Sequence, residues 1–242
     1  GIRVFDKPQR DYNALQFTVT RRFSKALYMQ GSYTYSRTEG NFPGLFSPDN
    51  GQVDPNISSQ YDLIELLANR NGPLPQDRPH YVKLDGYYTF DFKKAGQATA
   101  GIRFRALSGV PVDVVGTHFR YGPNESFLLP RGEIRRTDFE TGLDVHFDYG
   151  RDIGKGMKVE LFADLFNVFN DQGTFSVDEA YTYFSNVNPI VGGTYEDLIW
   201  AKALDDSNGS ETPNPVVRNP NFGNVAGRYS PFQAQFGVRM TF

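Results

Sequence analysis

The last thirteen residues of the chain read SPFQAQFGVRMTF (residues 230–242). Counted back from the terminus, every second residue is apolar: Phe242, Met240, Val238, Phe236, Ala234 and Phe232. The residues between them are polar or glycine. This alternation predicts a β-strand with one apolar and one polar face. A bulky apolar residue at a chain end needs a partner, because ends left in water usually fray.

Six other segments alternate in the same way. Together the patterns predict strands near residues 12–23, 26–37, 80–92, 97–107, 137–149, 157–169 and 231–242. The connections between them are short and long in turn, and the long ones span residues 38–79, 108–136 and 170–229. In an antiparallel meander, all short turns then lie at one end of the sheet and all long loops at the other.

Two long loops also carry helix-start signals. SQYDLIELLANRNG begins at Ser59, and TYEDLIWAKALDD begins at Thr194. Each predicted helix has about ten residues, which is too short for stability in isolation, so each must pack on something. Both fit simple loop filling, and both also fit a lid over a lumen.

The composition excludes several classes of protein. The 242 residues carry a net charge of -3, and no Lys/Arg run suggests a nucleic-acid partner. No apolar stretch approaches the roughly 18 to 20 residues of a membrane helix. The chain has no Cys, which excludes disulfides and Cys-based metal or nucleophile sites. It starts at Gly1 without a signal peptide, which indicates a processed chain or part of a longer one.

The apolar face of the predicted sheet needs a cover. A soluble sandwich would need a second sheet or helices, and the sequence has no spare strands for one. Left in water, this face would far exceed the few hundred Å² that soluble monomers tolerate. Lipid resolves the conflict, and the polar face then lines a wet lumen. The predicted lumen residues are Lys83, Asp85, Arg103, Arg105, Glu140, Asp144, His146, Asp148, Glu160, Asp164 and Arg239.

The fold class predicted from these patterns is an all-β, antiparallel transmembrane barrel with long extracellular loops. Aromatic residues near the strand ends fit the interfacial girdle of such a barrel. Seven strands are too few to enclose so many charged side chains, and an open sheet would leave unpaired edges in lipid. We therefore expect the chain to be the C-terminal part of a larger barrel. The other strands would come from another segment or another chain.

Several stretches resemble TonB-dependent outer-membrane receptors of the Oar-like branch. They are RRFSKALYMQGSYTYSR (21–37), GNFPGLFSPDNGQVDPN (40–56), LLANRNGPLPQDRPHYVKLDGYYTF (66–90), FRALSGVPVDVVG (104–116), YGPNESFLLPRG (121–132) and VELFADLFNVFN (159–170). The terminal FGVRMTF resembles the signal that the barrel-assembly machinery reads. This resemblance implies that Phe236, Val238, Met240 and Phe242 act as an assembly signal.

The resemblance implies a 22-stranded barrel in the bacterial outer membrane, filled by a plug domain and energised by a TonB-type transducer. This chain would supply the last seven strands, without the plug, and its C-terminus would be periplasmic. Oar-like members are associated with protease export and surface behaviour, so import of a small substrate does not follow.

Candidate chemistry in the sequence is sparse. No catalytic motif appears, so we expect neither an enzyme nor a cofactor. His80, His118 and His146 lack metal-ligand spacing. Asp49, Asn50 and Asp54 offer oxygens for a calcium ion, although such residues are also ordinary in turns.

One predicted strand carries Asp138, Glu140, Asp144 and Asp148, and its neighbour carries Arg103 and Arg105. These charges fit cross-strand pairing, and they also fit a polar path for a substrate.

Three functional hypotheses follow. The first is a TonB-dependent receptor or transporter whose loops capture cargo. The second is a structural or adhesive barrel, or a split barrel completed by a partner chain, without transport. The third is a soluble β-sandwich or lipid-binding calyx, which would need no detergent.

Overall fold

Seven long strands dominate the fold. The computed structural model describes residues 4–22, 26–46, 49, 59–154 and 156–242. The strands are β1 (Arg10–Arg22), β2 (Leu27–Gly40), β3 (His80–Asp91), β4 (Gln97–Leu107), β5 (Glu140–Gly154), β6 (Met157–Phe166) and β7 (Gln233–Thr241). They form one sheet in chain order, and every neighbouring pair is antiparallel. The prediction of an all-β, antiparallel sheet is confirmed.

The register of the sheet separates apolar from polar residues. Leu84 of β3 lies opposite Phe104 of β4, which lies opposite Leu143 of β5. One position along, Asp85 lies opposite Arg103 and therefore on the other face. A slip of one residue in any pairing would exchange the faces of that strand. The pairings thus assemble one continuous apolar face and one continuous polar face.

The apolar face has no covering layer in the described part of the chain. Phe17 in β1 is 58% exposed and Phe236 in β7 is 75% exposed. The buried hydrophobic cluster lies outside the long strands and consists of Val114, Leu128, Leu129, Tyr181, Val187, Leu198 and Ala201. We call the described parts of the three long loops (residues 41–79, 108–139 and 167–232), which meet around this cluster, the loop cap.

Short strands build the loop cap. Pro111–Val112 pairs with Arg135–Arg136, Val115–His118 with Gly122–Phe127, Thr174–Val177 with Val225–Arg228, and Lys202–Leu204 with Glu211–Pro215. Gly72–Pro73 pairs with the end of β2. The first and third of these hairpins form the stems of the second and third long loops, where the chain leaves and re-enters the large sheet.

The two predicted helices of about ten residues are wrong. The chain forms only short 3₁₀ turns there, at Ser59–Tyr61, Ile64–Leu67 and Tyr195–Trp200, and another at Lys93–Ala95 in a short connection. After Ile64–Leu67 and Tyr195–Trp200 the backbone becomes extended, at Ala68 and Ala201. The helix-start signal at Thr194 is real, because Thr194 and Asp197 form a capping box. No helix in the described residues is long and apolar enough to cross a membrane.

Several strand ends differ from the predicted ranges: β2 continues to Gly40 and β5 to Gly154, and two other ends have a visible local cause. β5 begins at Glu140 because Asp138 is bound elsewhere: its carboxylate accepts a hydrogen bond of 2.7 Å from the Thr174 amide. β6 ends at Phe166 because Asn167 adopts a φ of 49°, which turns the chain out of the sheet. The Asn167 amide then donates to the Asp144 carboxylate at 3.0 Å, so in both places a local polar contact replaces the ladder.

Candidate functional sites: the polar face and the loop cap

Cross-strand ion pairs cover the polar face of the sheet. The Arg105 guanidinium lies 2.8 Å from the Asp85 carboxylate. Arg239 lies 2.8 Å from Glu160, which Lys158 also approaches at 3.2 Å. These side chains are partly exposed, so each pair contributes at most about 1 kcal/mol to stability. Their effect is to fix the charge pattern of this face.

His146 is held between two carboxylates on the same face. Its Nδ1 lies 2.6 Å from Asp164, and its Nε2 lies 3.1 Å from Asp148. A neutral imidazole has one N–H, so hydrogen bonds to both carboxylates require the imidazolium. The two carboxylates therefore accept from His146 together only when its ring is protonated.

The structure brings the predicted lumen residues to one face of the sheet. Arg103 stands opposite both Asp85 and Asp144 in the register. Glu140 accepts from Arg78, at 3.3 Å, rather than from the arginines of β4. The expectation that Asp138 faces Arg103 and Arg105 is wrong, because Asp138 precedes β5 and binds Thr174. That this face lines a lumen stays a prediction.

A buried charge cluster joins the three loops of the cap. Arg131 has a fully buried side chain and donates through both terminal nitrogens to Asp49, with Nη1 to Oδ1 at 3.0 Å. Its Nη1 also reaches Asp113 at 3.5 Å, and its Nε donates to the Arg70 carbonyl at 2.9 Å. Arg70 in turn binds Glu125 at 3.0 Å. The cluster therefore ties the first long loop to the second.

An aromatic ring supports both arginines. The guanidinium carbons of Arg70 and Arg131 lie 4.6 Å and 4.5 Å from the centre of the Phe127 ring. A cation over a desolvated ring is stabilised by about 2 kcal/mol. The buried Phe127 thus compensates part of the cost of removing these two charges from water.

Two carboxyl groups of the cluster have perturbed acidity. Burial raises the pKa of Asp113 to about 6, although the Arg131 charge works in the opposite direction. Burial, with the negative charge of Asp113 beside it, raises the pKa of Glu179 to about 8. The Glu179 Oε1 accepts from the Asp113 amide at 2.9 Å, which links the third long loop to the second. Glu179 is therefore mainly protonated at neutral pH.

The candidate calcium ligands are only partly described. Asp49 gives its carboxylate to Arg131, which a calcium ion would have to displace. Asn50 and Asp54 lie outside the described residues. Within the described residues, no group of three or more His, Asp or Glu side chains could hold a metal ion. Calcium binding in this segment stays a prediction.

The other two histidines lie apart. His80 shares a contact of 2.9 Å with the Tyr33 hydroxyl. His118 is buried in the loop cap, where its Nδ1 accepts from the Arg120 and Tyr121 amides at 3.3 Å. Burial lowers the pKa of His118, which favours the unprotonated Nδ1 that these two contacts require.

Sequence reasoning missed the buried charges of the loop cap. One signal was available: ESFLLPRG (125–132) places Glu125 and Arg131 around Phe127, Leu128 and Leu129, which are all buried. Charges that flank so apolar a run in a loop indicate a buried ion pair. Their partners Arg70, Asp49 and Asp113 could not be identified, because they lie 18 to 82 residues away along the chain.

Comparison with known proteins agrees with the resemblance found in the sequence. Residues 3–110 match the family model of the outer membrane beta barrel domain. The chain is 39% identical over 244 aligned residues to the TonB-dependent transporter Oar of Myxococcus xanthus. The alignment covers 98% of this chain. The chain spans 23% of the length of that relative. No solved structure matches the chain significantly. The predicted resemblance to TonB-dependent, Oar-like proteins is confirmed.

Proposed function

We propose that this chain forms part of the wall and the surface loops of a TonB-dependent outer-membrane transporter. The observation that carries this proposal is the sheet register, which collects the apolar residues of seven strands on one face that nothing in the described part of the chain covers. Acyl chains are the partner that such a face requires. The similarity to an outer-membrane transporter supports the same placement.

The strand lengths and aromatic positions fit a bilayer. The long strands have 9 to 15 residues, and a tilted transmembrane strand needs about 9 to 11. Tyr33 and Tyr35 lie toward the long-loop end of the sheet. Tyr88, Phe90 and Tyr149 lie toward the short-turn end. Rings at both levels match the two interfacial girdles of membrane barrels.

The proposal requires partners beyond this chain. β1 and β7 are the edges of the described sheet, and an edge cannot remain unpaired in lipid. Other strands must therefore pair with both, from the rest of the protein or from another chain. A plug, a TonB-type energy transducer and the barrel-assembly machinery would complete the system, with the polar face toward the lumen. No feature supports nucleic-acid binding.

The orientation can be tested by cysteine labelling, because this segment has no native Cys. Trp200 is exposed in the loop cap, and Lys94 lies in a short turn. In intact cells, a membrane-impermeant maleimide should label Trp200→Cys but not Lys94→Cys, and both should react after lysis. Unsubstituted protein is the control. Labelling of Lys94→Cys alone in intact cells would show that the short turns face the exterior, which contradicts the proposed orientation.

Transport itself needs a separate test, since the alternative is a structural or adhesive barrel. The loop cap folds around a hydrophobic cluster of its own, which favours that alternative as a specific second candidate. Cells that express the full protein should move cargo only when the TonB-type transducer is present. Surface exposure of the loops with no effect of the transducer on any exported or imported material would support the structural role.

A further inference from the structure

A cavity of about 540 Å³ lies where the second and third long loops meet. One wall comes from the stem of the second loop, Pro111–Val112 with Arg135–Arg136. Another comes from residues 222–224, beside the stem of the third loop. Tyr195 completes the lining. The volume falls in the range of small-molecule sites, about 300 to 1,000 Å³.

The floor of this cavity is apolar and fixed. Val112 and Val114 line it and are almost wholly buried. Ile134 and Phe222 also line it, and both pack against the hydrophobic cluster of the loop cap. Phe222 additionally meets Tyr181 edge-on, with ring centres 5.2 Å apart. The apolar surface is therefore preformed, and a ligand would not need to open the cap to reach it.

Only one of the two charged residues in the lining remains available to a ligand. The Asp178 carboxylate already accepts from the Ala180 amide at 3.0 Å, the Asn219 side chain at 3.0 Å and the Tyr183 hydroxyl at 3.3 Å. Arg135 donates one hydrogen bond, of 3.2 Å, to the Gly223 carbonyl. None of the ion pairs found within the described residues includes Arg135, although its positive charge acts at longer range on the Asp138 carboxylate. A guanidinium has five N–H donors, so Arg135 keeps donors for an anion.

We propose that this cavity binds a molecule with an apolar body and a single carboxylate. The body lies against Val112, Ile134 and Phe222, and the carboxylate binds the Arg135 guanidinium. An arginine recognises a carboxylate through two parallel N–H···O bonds, which gives specificity over a neutral group of the same shape. The inference rests on the proposed function, because it names the chemical class of the cargo that the loops capture.

Two sources can supply this chemistry: a free organic acid and the C-terminal end of an apolar peptide. The test uses the full receptor in lipid nanodiscs and titration calorimetry, with empty nanodiscs to subtract partition into lipid. The probes are 4-phenylbutyrate and N-acetyl-leucyl-phenylalanine, each beside its amide. The source is assigned to whichever acid binds more tightly.

We expect each binding acid to exceed its amide at least ten-fold in affinity. Arg135→Gln should reduce the affinity for the acid to that for the amide. Arg135→Lys keeps the charge but loses the planar fork of the guanidinium. Its affinity for the acid should lie between those of the unsubstituted receptor and Arg135→Gln. Arg120→Gln is the matched control, because Arg120 is exposed in the turn of another hairpin of the same loop. It should bind as the unsubstituted receptor does.

Unchanged binding in Arg135→Gln, equal binding of acid and amide, or no binding of either acid would each overturn the site. Unaltered protease resistance of the loop cap in Arg135→Gln establishes that the variant is folded. If Arg135→Gln does not fold, Arg135→Lys carries the test by its loss of acid-over-amide preference. Binding that persists while cells show no transducer-dependent transport would leave the site standing and refute the transport proposal.

Discussion

Arg131 keeps its charge although its side chain has no contact with solvent. Burial favours the neutral form, but the negative charges of Asp49 and Asp113 outweigh it and raise the pKa of Arg131 above its ordinary value. Removal of one member of a buried ion pair is costly because the partner stays behind as an uncompensated charge. The cluster is therefore the most sensitive point of the loop cap.

Arg131→Met should destabilise the loop cap by about 3 to 5 kcal/mol, since Asp49 and Asp113 lose their counter-charge. Hydrogen exchange in the full receptor should then speed up across residues 111–129 while the long strands remain protected. Arg120→Met, on the surface of the same loop, should leave exchange unchanged. Equal exchange in the two variants would show that the cluster does not hold the cap.

Glu179 should make the stability of the cap depend on pH. Its pKa is raised to about 8 in the folded protein, so the folded state binds its proton more tightly than the unfolded state does. Stability should then be greatest in acid and should decline as the pH rises toward 8. Asp113, with a pKa of about 6, adds to the decline at lower pH.

Glu179→Gln should reduce this decline between about pH 4.5 and 6, where Asp113 also contributes, and remove it between about pH 6 and 8. The measurement is the urea concentration at which a protease first cleaves the loop cap, from pH 5 to 8.5. Glu133→Gln, at another glutamate of the loop cap, is the control. A slope that survives in Glu179→Gln would assign the effect to another group.

At the scale of elements, the 3₁₀ turn Tyr195–Trp200 shows how the cap is anchored. Its neighbouring residues Leu198 and Ile199 differ sharply: Leu198 is 3% exposed and Ile199 is 70% exposed. Leu198→Ala should therefore cost about 2 to 5 kcal/mol of cap stability, whereas Ile199→Ala should cost less than about 0.5 kcal/mol. Urea-dependent proteolysis of the loops measures both, and similar costs would contradict the packing.

A second prediction concerns the pairing of β6 with β7. A Cβ atom on Gly237 would lie 2.3 Å from the Phe162 ring, whereas one on Gly142 of the same face would meet nothing within 4 Å. Gly237→Val should thus destabilise the sheet by about 1 to 3 kcal/mol through overpacking. Gly142→Val should have little effect. The temperature at which the folded gel band disappears compares them, and an equal shift in both would refute the ring contact.

The strands were predictable because the alternation is local. The alternation of Leu84, Asp85 and their neighbours predicts which face each residue occupies without information from another strand. The register then only has to place apolar residues beside apolar ones and polar residues beside polar ones. The helical segments failed for the opposite reason. Their apolar spacing served contacts with other loops, such as Leu198 in the hydrophobic cluster, and not a helix of its own.

At the scale of the whole molecule, the terminal strand is the proposed site of recognition during barrel assembly. β7 pairs with β6 throughout its length, and Phe242 beyond it is 90% exposed. Deletion of Phe242 should reduce the amount of receptor in the outer-membrane fraction several-fold, with little effect on ligand binding by the protein that does insert. Heat-modifiable gel mobility reports insertion.

Phe184→Ala is the control for this deletion, because Phe184 is 91% exposed but lies in the loop cap. It should insert normally. Normal insertion of the protein without Phe242 would show that the terminal residue is not needed for assembly.

The architecture of the wall could therefore be predicted from the sequence, and that of the loop cap could not. The contacts that define the cap join Asp49 to Arg131, Asp113 to Glu179 and Asn69 to Gly192, over 66 to 123 residues of chain. Such pairs have no period and no common spacing. The candidate cavity at Arg135 depends on the same long-range meeting of two loops.

These long separations also fix an order of events during biogenesis. Asp49, Arg131 and Glu179 belong to three different loops, so in the proposed orientation their cluster cannot close until all three loops have crossed the membrane. Contacts between residues far apart in sequence form slowly, because the chain loses conformational entropy on closing the loop before the contacts stabilise it. The cap should accordingly mature after the wall, and a stalled receptor would expose its unfinished loops to surface proteases.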